Sequence, residues 1–100
     1  GLVGSDGETH QGVFDLSYLS HIPNMTVMAP KNGSELTEMI RYAVNYPGPM
    51  AVRYPRGTAY GGYAEYHEPI AYGKSEMITE EKGIAVIAVG HMFEVAAEVR

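Results

Sequence analysis

The sequence predicts an α/β fold in which helices cover a parallel sheet. The main observation is a strand, a helix and a second strand in close succession, which together form a βαβ unit. The strands are the apolar runs at residues 25–29 and 50–54, and the helix between them is amphipathic. A further apolar run at residues 84–89 has the composition of a buried strand.

The N-terminal part is expected to contain a strand, a polar loop and a short helix. Residues 1–4 have the pattern of a strand that leads into a turn. The short helix is indicated by a cluster of apolar residues: Val13, Phe14, Leu16, Tyr18 and Leu19. It should end before Pro23, because the residue that precedes a proline is biased away from helical backbone angles.

The helix between the two strands has the clearest pattern. Its apolar residues recur at i, i+3, i+4, i+7 and i+8, which places them on one helical face. They are Leu36, Met39, Ile40, Ala43 and Val44. Asn32 and Glu35 have the spacing of a capping box at the start of this helix, and the prolines in residues 46–49 end it.

The chain divides into three parts. Residues 1–56 contain the βαβ unit, and residues 57–70, rich in glycine and tyrosine without periodicity, are predicted to be a linker. Residues 71–100 are predicted to begin a second α/β domain, with strands at 71–79 and 84–89 and then a helix. Both ends are expected to lie inside a longer polypeptide, because the chain lacks an initiator methionine and its last helix lacks a stop signal.

Composition and charge narrow the classes of function. The net charge of −5 opposes non-specific binding to nucleic acid or to an anionic membrane. No apolar run reaches the roughly 18–20 residues that span a bilayer. The chain has no cysteine, so disulfides and thiolate metal sites are excluded. These features are compatible with a cytoplasmic protein that binds a small molecule.

The densest group of polar residues is the loop at residues 4–12. In open α/β sheets, ligands bind at loops that follow the carboxyl ends of strands. Asp6 offers a hydrogen-bond acceptor, and the imidazole of His10 titrates near neutral pH. One alternative is an ordinary turn in which Asp6 caps a helix and His10 lies at the surface. A metal site built from Asp6, His10, Asp15 and His21 is a weaker alternative, because the spacing matches no compact ligand motif.

Arg53 and Arg56 flank a proline turn directly after the second predicted strand. A guanidinium group donates a fork of hydrogen bonds that matches a phosphate or a carboxylate. The alternative is a pair of ordinary surface arginines. The pattern does not tell which of the two would face a site.

Several motifs together resemble the 1-deoxy-D-xylulose-5-phosphate synthase family of the transketolase superfamily. They are GSDGETHQGVFDL at 4–16, HIPNM at 21–25, MAP at 28–30, YPGP at 46–49 and AVRYPRG at 51–57. The Asp-Gly-x-Thr-His-Gln part of the first motif is common to transketolases, whereas the Val-Arg-Tyr-Pro-Arg-Gly segment distinguishes this family. The resemblance covers essentially the whole chain.

The resemblance implies that residues 1–56 are the C-terminal half of a pyrimidine-binding, transketolase-like domain and that residues 71–100 begin the transketolase C-terminal domain. It implies a transferase that decarboxylates pyruvate and condenses the product with D-glyceraldehyde 3-phosphate, in isoprenoid (non-mevalonate), thiamine and pyridoxal biosynthesis. Thiamine diphosphate and Mg²⁺ are the implied cofactors, with most of their ligands elsewhere in the longer protein. A cytoplasmic homodimer is the implied assembly.

The resemblance also implies roles for three residues. Asp6 matches a residue that binds the hydroxyl group of the acceptor sugar, and His10 matches an active-site histidine that donates to oxyanions or relays protons. Arg56 matches the arginine that holds the acceptor phosphate. The 100 residues alone are expected to be inactive. A transketolase-like enzyme with another acceptor and a non-catalytic α/β binding or assembly module remain alternatives.

Overall fold

The computed structural model describes residues 2–5 and 7–99. Its elements in chain order are α1 (Asp15–Leu19), β1 (Thr26–Met28), α2 (Gly33–Asn45), β2 (Met50–Val52) and α3 (Met92–Val99). Strands β1 and β2 pair in parallel, and α2 connects them, so the predicted βαβ unit is confirmed. The short helix α1 and the C-terminal helix α3 also lie where the sequence predicts helices.

The two strands are aligned residue by residue, with Thr26 opposite Met50 and Met28 opposite Val52. Backbone bonds continue the pairing beyond both ends. The N–H of Thr26 donates to the carbonyl of Pro49 at 3.0 Å, and the N–H of Arg53 donates to the carbonyl of Met28 at 2.7 Å. The carboxyl ends of both strands therefore meet at Arg53.

Helix α2 begins where the sequence predicts. The side-chain oxygen of Asn32 accepts a hydrogen bond from the N–H of Glu35 at 2.9 Å. The Glu35 carboxylate reaches back to the N–H of Lys31 at 2.6 Å, one residue further than in a standard capping box. The helix ends at Asn45, because Tyr46 precedes a proline and is extended.

The apolar face of α2 is only partly covered. Leu36, Met39 and Ala43 are half-buried, whereas Ile40 is 46% exposed and Val44 is 80% exposed. The predicted face is therefore correct in its periodicity, but Ile40 and Val44 on it remain largely exposed.

Residues 57–70 form neither helix nor strand, as their lack of periodicity predicts. They are nevertheless attached to the start of α2. The side-chain amide of Asn32 donates to the carbonyls of Gly62 at 3.0 Å and Tyr63 at 3.3 Å, and the N–H of Gly33 donates to the carbonyl of Tyr60 at 3.0 Å.

Two predicted strands are wrong. Residues 71–79 and 84–89 form no strand in the described chain, and the apolar side chains of Ile84 and Ile87 are 88% and 91% exposed. A buried strand needs neighbouring strands to pair its backbone groups, and the described sheet contains only β1 and β2. The strand predicted over residues 1–4 is also absent from residues 2–4, and Gly1 lies outside the described residues.

The described chain exposes much apolar surface. Its accessible surface is 7836 Å², whereas a folded protein of this mass has roughly 5,600 Å². Met28 is the one large apolar side chain that counts as buried among residues 2–5 and 7–99. None of the helices in that part of the chain has the length and apolar character to cross a membrane.

Candidate functional site

The polar loop at residues 4–12 is closed by the side chain of Gln11. Its Nε2 donates to the carbonyls of Val3 at 2.8 Å and Gly7 at 2.6 Å, and its Oε1 accepts from the N–H of Val3. Gly7 has a φ of 65°, which glycine adopts without strain. Gln11 thus holds both ends of the loop, a role that the sequence pattern did not indicate.

His10 lies on the exposed side of this loop. Its Nδ1 is 2.8 Å from the hydroxyl of Thr9. Because Nδ1 is engaged by its neighbour, Nε2 is the ring nitrogen left to contact a ligand. Asp6, the other residue predicted in this loop, lies outside the described residues.

Asp15 and Arg53 form a two-pronged ion pair between α1 and the end of β2. The Nε and Nη2 of Arg53 donate to the two carboxylate oxygens of Asp15, the second at 3.3 Å. The two side chains are 17% and 25% exposed. Hydrogen bonding from Arg53 lowers the pKa of Asp15 and outweighs the opposing effect of desolvation, so the carboxylate stays ionised.

This ion pair distinguishes the surroundings of the two arginines. Arg53 points into the protein toward Asp15, whereas Arg56 lies in the exposed segment at residues 54–57 beyond the end of β2. Arg53 directly follows β2 and bonds to the last residue of β1, so the ion pair lies at the carboxyl edge of the sheet. This edge is where open α/β folds bind their ligands.

The metal alternative finds no support in this arrangement. The carboxylate of Asp15 is bound by Arg53. Across residues 2–5 and 7–99, no three His, Asp or Glu side chains come together in a way that would hold a metal ion.

A separate cavity of about 350 Å³ lies between β1, the start of α2 and residues 68–78. Lys31 is the central polar group on its wall, and its side chain is only 9% exposed. Its ammonium group pairs with Glu35 at 3.1 Å and with Glu76 at 2.5 Å. Desolvation lowers the pKa of Lys31, but hydrogen bonds to the two carboxylates outweigh it and raise the pKa above its usual value. The cluster attaches residues 68–76 to the start of α2.

The comparisons with known proteins agree with the fold and with the motifs. Residues 1–60 match the family model described as the transketolase, pyrimidine binding domain, and the chain therefore belongs to that family. No solved structure matches the chain.

The relatives give a more specific likeness. The chain is 55% identical over its full length to the 1-deoxy-D-xylulose-5-phosphate synthase of Lachnoclostridium phytofermentans. It is 48% identical over 98% of its length to the synthase of Dictyoglomus thermophilum, and 44% identical over 98% to that of Heliobacterium modesticaldum. It spans 16%, 16% and 15% of these three proteins. The resemblance indicated by the motifs is confirmed.

Proposed function

We propose that this chain supplies the acceptor-phosphate side of the active site in an enzyme of the 1-deoxy-D-xylulose-5-phosphate synthase type. The observation that carries the proposal is the Asp15–Arg53 ion pair at the carboxyl ends of β1 and β2. It joins the helix that follows the polar loop to the segment that carries Arg56. The high identity to proteins named as this synthase supports the same assignment.

Arg56 is the residue that we assign to the acceptor phosphate. Its guanidinium can donate two parallel hydrogen bonds to phosphate oxygens. Arg53 is a poorer choice, because two of its donors and its charge are already matched by Asp15.

His10 and Asp6 are assigned to the reacting end of the acceptor. The exposed imidazole of His10 can exchange a proton with the acceptor or donate to an oxygen that becomes negative in the transition state. Asp6 is proposed, from the resemblance alone, to accept a hydrogen bond from the acceptor's hydroxyl group.

The donor side is proposed to lie outside these residues. Thiamine diphosphate, when bound, supplies the carbanion chemistry that protein side chains cannot. The ligands of Mg²⁺ are likewise proposed to lie mostly outside these residues. What this chain contributes is the binding and orientation of the acceptor and the handling of its protons.

The proposal for the whole enzyme follows the relatives. Pyruvate and D-glyceraldehyde 3-phosphate are the proposed substrates, and isoprenoid, thiamine and pyridoxal biosynthesis the proposed roles. We propose a cytoplasmic homodimer that depends on thiamine diphosphate and Mg²⁺. Within it, residues 1–56 belong to the pyrimidine-binding domain, 57–70 to a linker and 71–100 to the C-terminal domain.

The substitution Arg56→Ala in the intact enzyme tests the phosphate assignment. We expect the KM for D-glyceraldehyde 3-phosphate to rise roughly tenfold to a hundredfold, because hydrogen bonds to charged groups contribute about 1.5–3 kcal/mol. The KM for pyruvate should change little. Steady-state kinetics with each substrate varied in turn provide the measurement.

Arg41→Ala is the matched control. Arg41 is an exposed arginine on α2 that pairs with Glu38 at 2.9 Å, and its loss should leave both KM values unchanged. An acceptor KM that stays the same in Arg56→Ala would defeat the assignment. Release of carbon dioxide from pyruvate without any response to D-glyceraldehyde 3-phosphate would indicate a transketolase-like enzyme with another acceptor.

A further inference from the structure

The Asp15–Arg53 ion pair connects the two chain segments that carry the proposed acceptor site. The two residues are 38 positions apart in the sequence. Asp15 lies five positions after His10, and Arg53 lies three positions before Arg56. The connecting segments can span at most about 17 Å and about 10 Å when fully extended. These lengths are upper limits on how far the Cα atoms of His10 and Arg56 can lie from those of Asp15 and Arg53.

Arg53 is held in place by the sheet. Its backbone N–H donates to the carbonyl of Met28 at 2.7 Å, which continues the pairing of β1 and β2. Its side chain therefore projects from the most regular part of the described structure. The sheet sets the position of its main chain, and Asp15 holds its guanidinium group.

Helix α1, which carries Asp15, is held less firmly than Arg53. It has five residues, and its N-cap residue, Phe14, provides no side-chain cap. Little of its apolar surface is buried, since Phe14 is 75% exposed and Tyr18 is 61% exposed. A helix this short gains little from its own hydrogen bonds. The contact of Asp15 with Arg53 therefore has a large part in orienting α1 and the loop before it.

We propose that Asp15 and Arg53 are positioning residues that fix the separation of His10 and Arg56 and so set the preference of the enzyme for a phosphorylated acceptor. The inference rests on the proposed function of this site. If α1 shifts, His10 shifts with it, while Arg56 stays with the sheet. A three-carbon phosphate that spans both groups would then no longer reach them together.

A double-mutant cycle in the intact enzyme tests this proposal. The variants are Asp15→Asn, Arg53→Gln and the two combined. We expect each single change to raise the KM for D-glyceraldehyde 3-phosphate about tenfold, since a small misplacement near a bound substrate costs up to about a hundredfold. The combined variant should be no worse than the more impaired single variant, because both changes remove one contact. The KM for unphosphorylated glyceraldehyde and that for pyruvate should change little.

The exposed pair Glu38–Arg41 on α2 supplies the control. Glu38→Gln and Arg41→Gln remove an ion pair of similar chemistry away from the site, and they should alter none of these constants. Arg53→Lys is the mildest variant. It keeps the positive charge but loses the paired hydrogen bonds of the guanidinium group to Asp15. It should fold and raise the acceptor KM by a smaller factor.

The outcomes separate the positioning role from the proposed function. If Arg56→Ala raises the acceptor KM and the Asp15 and Arg53 variants do not, the positioning role is wrong and the proposed function stands. If Arg56→Ala has no effect either, the proposed function is wrong.

The cycle itself can also overturn the inference. It would do so if the increases in acceptor KM from the two single changes multiplied in the combined variant. So would a uniform loss of kcat together with a lower Tm. If the neutral variants do not fold, an unchanged KM in Arg53→Lys overturns it.

Discussion

Arg53 makes bonds in two directions, and its position in the fold follows from both. Its backbone N–H extends the β1–β2 ladder through Met28, and its guanidinium holds Asp15 of α1. The hydrogen bonds from Arg53 keep the pKa of Asp15 below its usual value, so the pair remains charged throughout the neutral range. The motif that marks the arginine segment therefore contains one structural arginine and one that we assign to the substrate.

His10→Ala should lower kcat of the intact enzyme by roughly a hundredfold, the size of effect that a general acid–base group or an oxyanion donor contributes. The Tm should stay unchanged, because His10 is exposed and its bond in the structure is to the adjacent Thr9. Turnover numbers and thermal unfolding measured on the same preparation test this.

His67→Ala is the matched control for that substitution. His67 is also exposed, and its Nδ1 contacts a nearby backbone oxygen, that of Glu65, at 2.8 Å. Its loss should leave kcat unchanged. Full turnover by His10→Ala would remove His10 from the mechanism.

The candidate site could be predicted from the sequence only at the level of residue types. His10 and Arg56 could be proposed because each lies in a short motif, which is a local feature of the sequence, and their roles stay predictions. The pairing of Asp15 with Arg53 could not be predicted, because the two residues are 38 positions apart and nothing in the local sequence of either indicates the other. Gln11 was missed for a related reason, since its bonds to the loop backbone depend on how the loop folds.

At the scale of elements, the start of α2 is the best determined part of the structure. Asn32 and Glu35 are three positions apart, and such short-range spacing is sufficient to predict a helix start. The contribution of Glu76 to the same cluster comes from residues far along the chain and could not be predicted. The strands predicted at 71–79 and 84–89 failed because an apolar run does not specify the neighbour that a strand requires.

Lys31→Met should destabilise the intact enzyme by about 1–3 kcal/mol, because Glu35 and Glu76 would be left largely buried without a cation. The pKa of Lys31 is raised in the folded protein, so its contribution is complete below the ordinary value of 10.5 and is lost as the pH rises above it. The difference in unfolding free energy between wild type and variant should accordingly shrink in strong alkali.

Chemical unfolding over a series of pH values measures that difference. Lys74→Met is the control, because Lys74 is exposed, and it should cost little at any pH. A Lys31→Met difference that persisted unchanged above pH 10.5 would show that the methylene stem, and not the charge, is responsible.

At the scale of the whole molecule, the dominant feature is apolar surface without a neighbour. The radius of gyration is 14.5 Å, compared with about 13 Å for a compact domain of this length. The relatives extend well beyond the matched region. The chain spans 16% or less of the length of each of the three relatives compared. We infer that much of the exposed surface is covered by other parts of the protein.

The 100-residue chain expressed alone should therefore bind a hydrophobic dye strongly and release no carbon dioxide from pyruvate. Dye fluorescence and small-angle scattering, compared with the intact enzyme, measure this. A chain that is compact in solution, leaves the dye unbound and unfolds cooperatively would contradict the inference that its apolar surface needs a cover.

The side chain of Asn32 uses both ends of one amide group. The oxygen caps α2 by accepting a hydrogen bond from the N–H of Glu35. The nitrogen donates to the carbonyls of Gly62 and Tyr63 and so holds the segment at residues 57–70. A rotation of the amide by half a turn would place its NH₂ group against the N–H of Glu35 and its oxygen against the two carbonyl oxygens. One side-chain torsion angle of Asn32 thus orients the helix cap and the contacts to Gly62 and Tyr63 together, and a rotation that breaks one breaks the other.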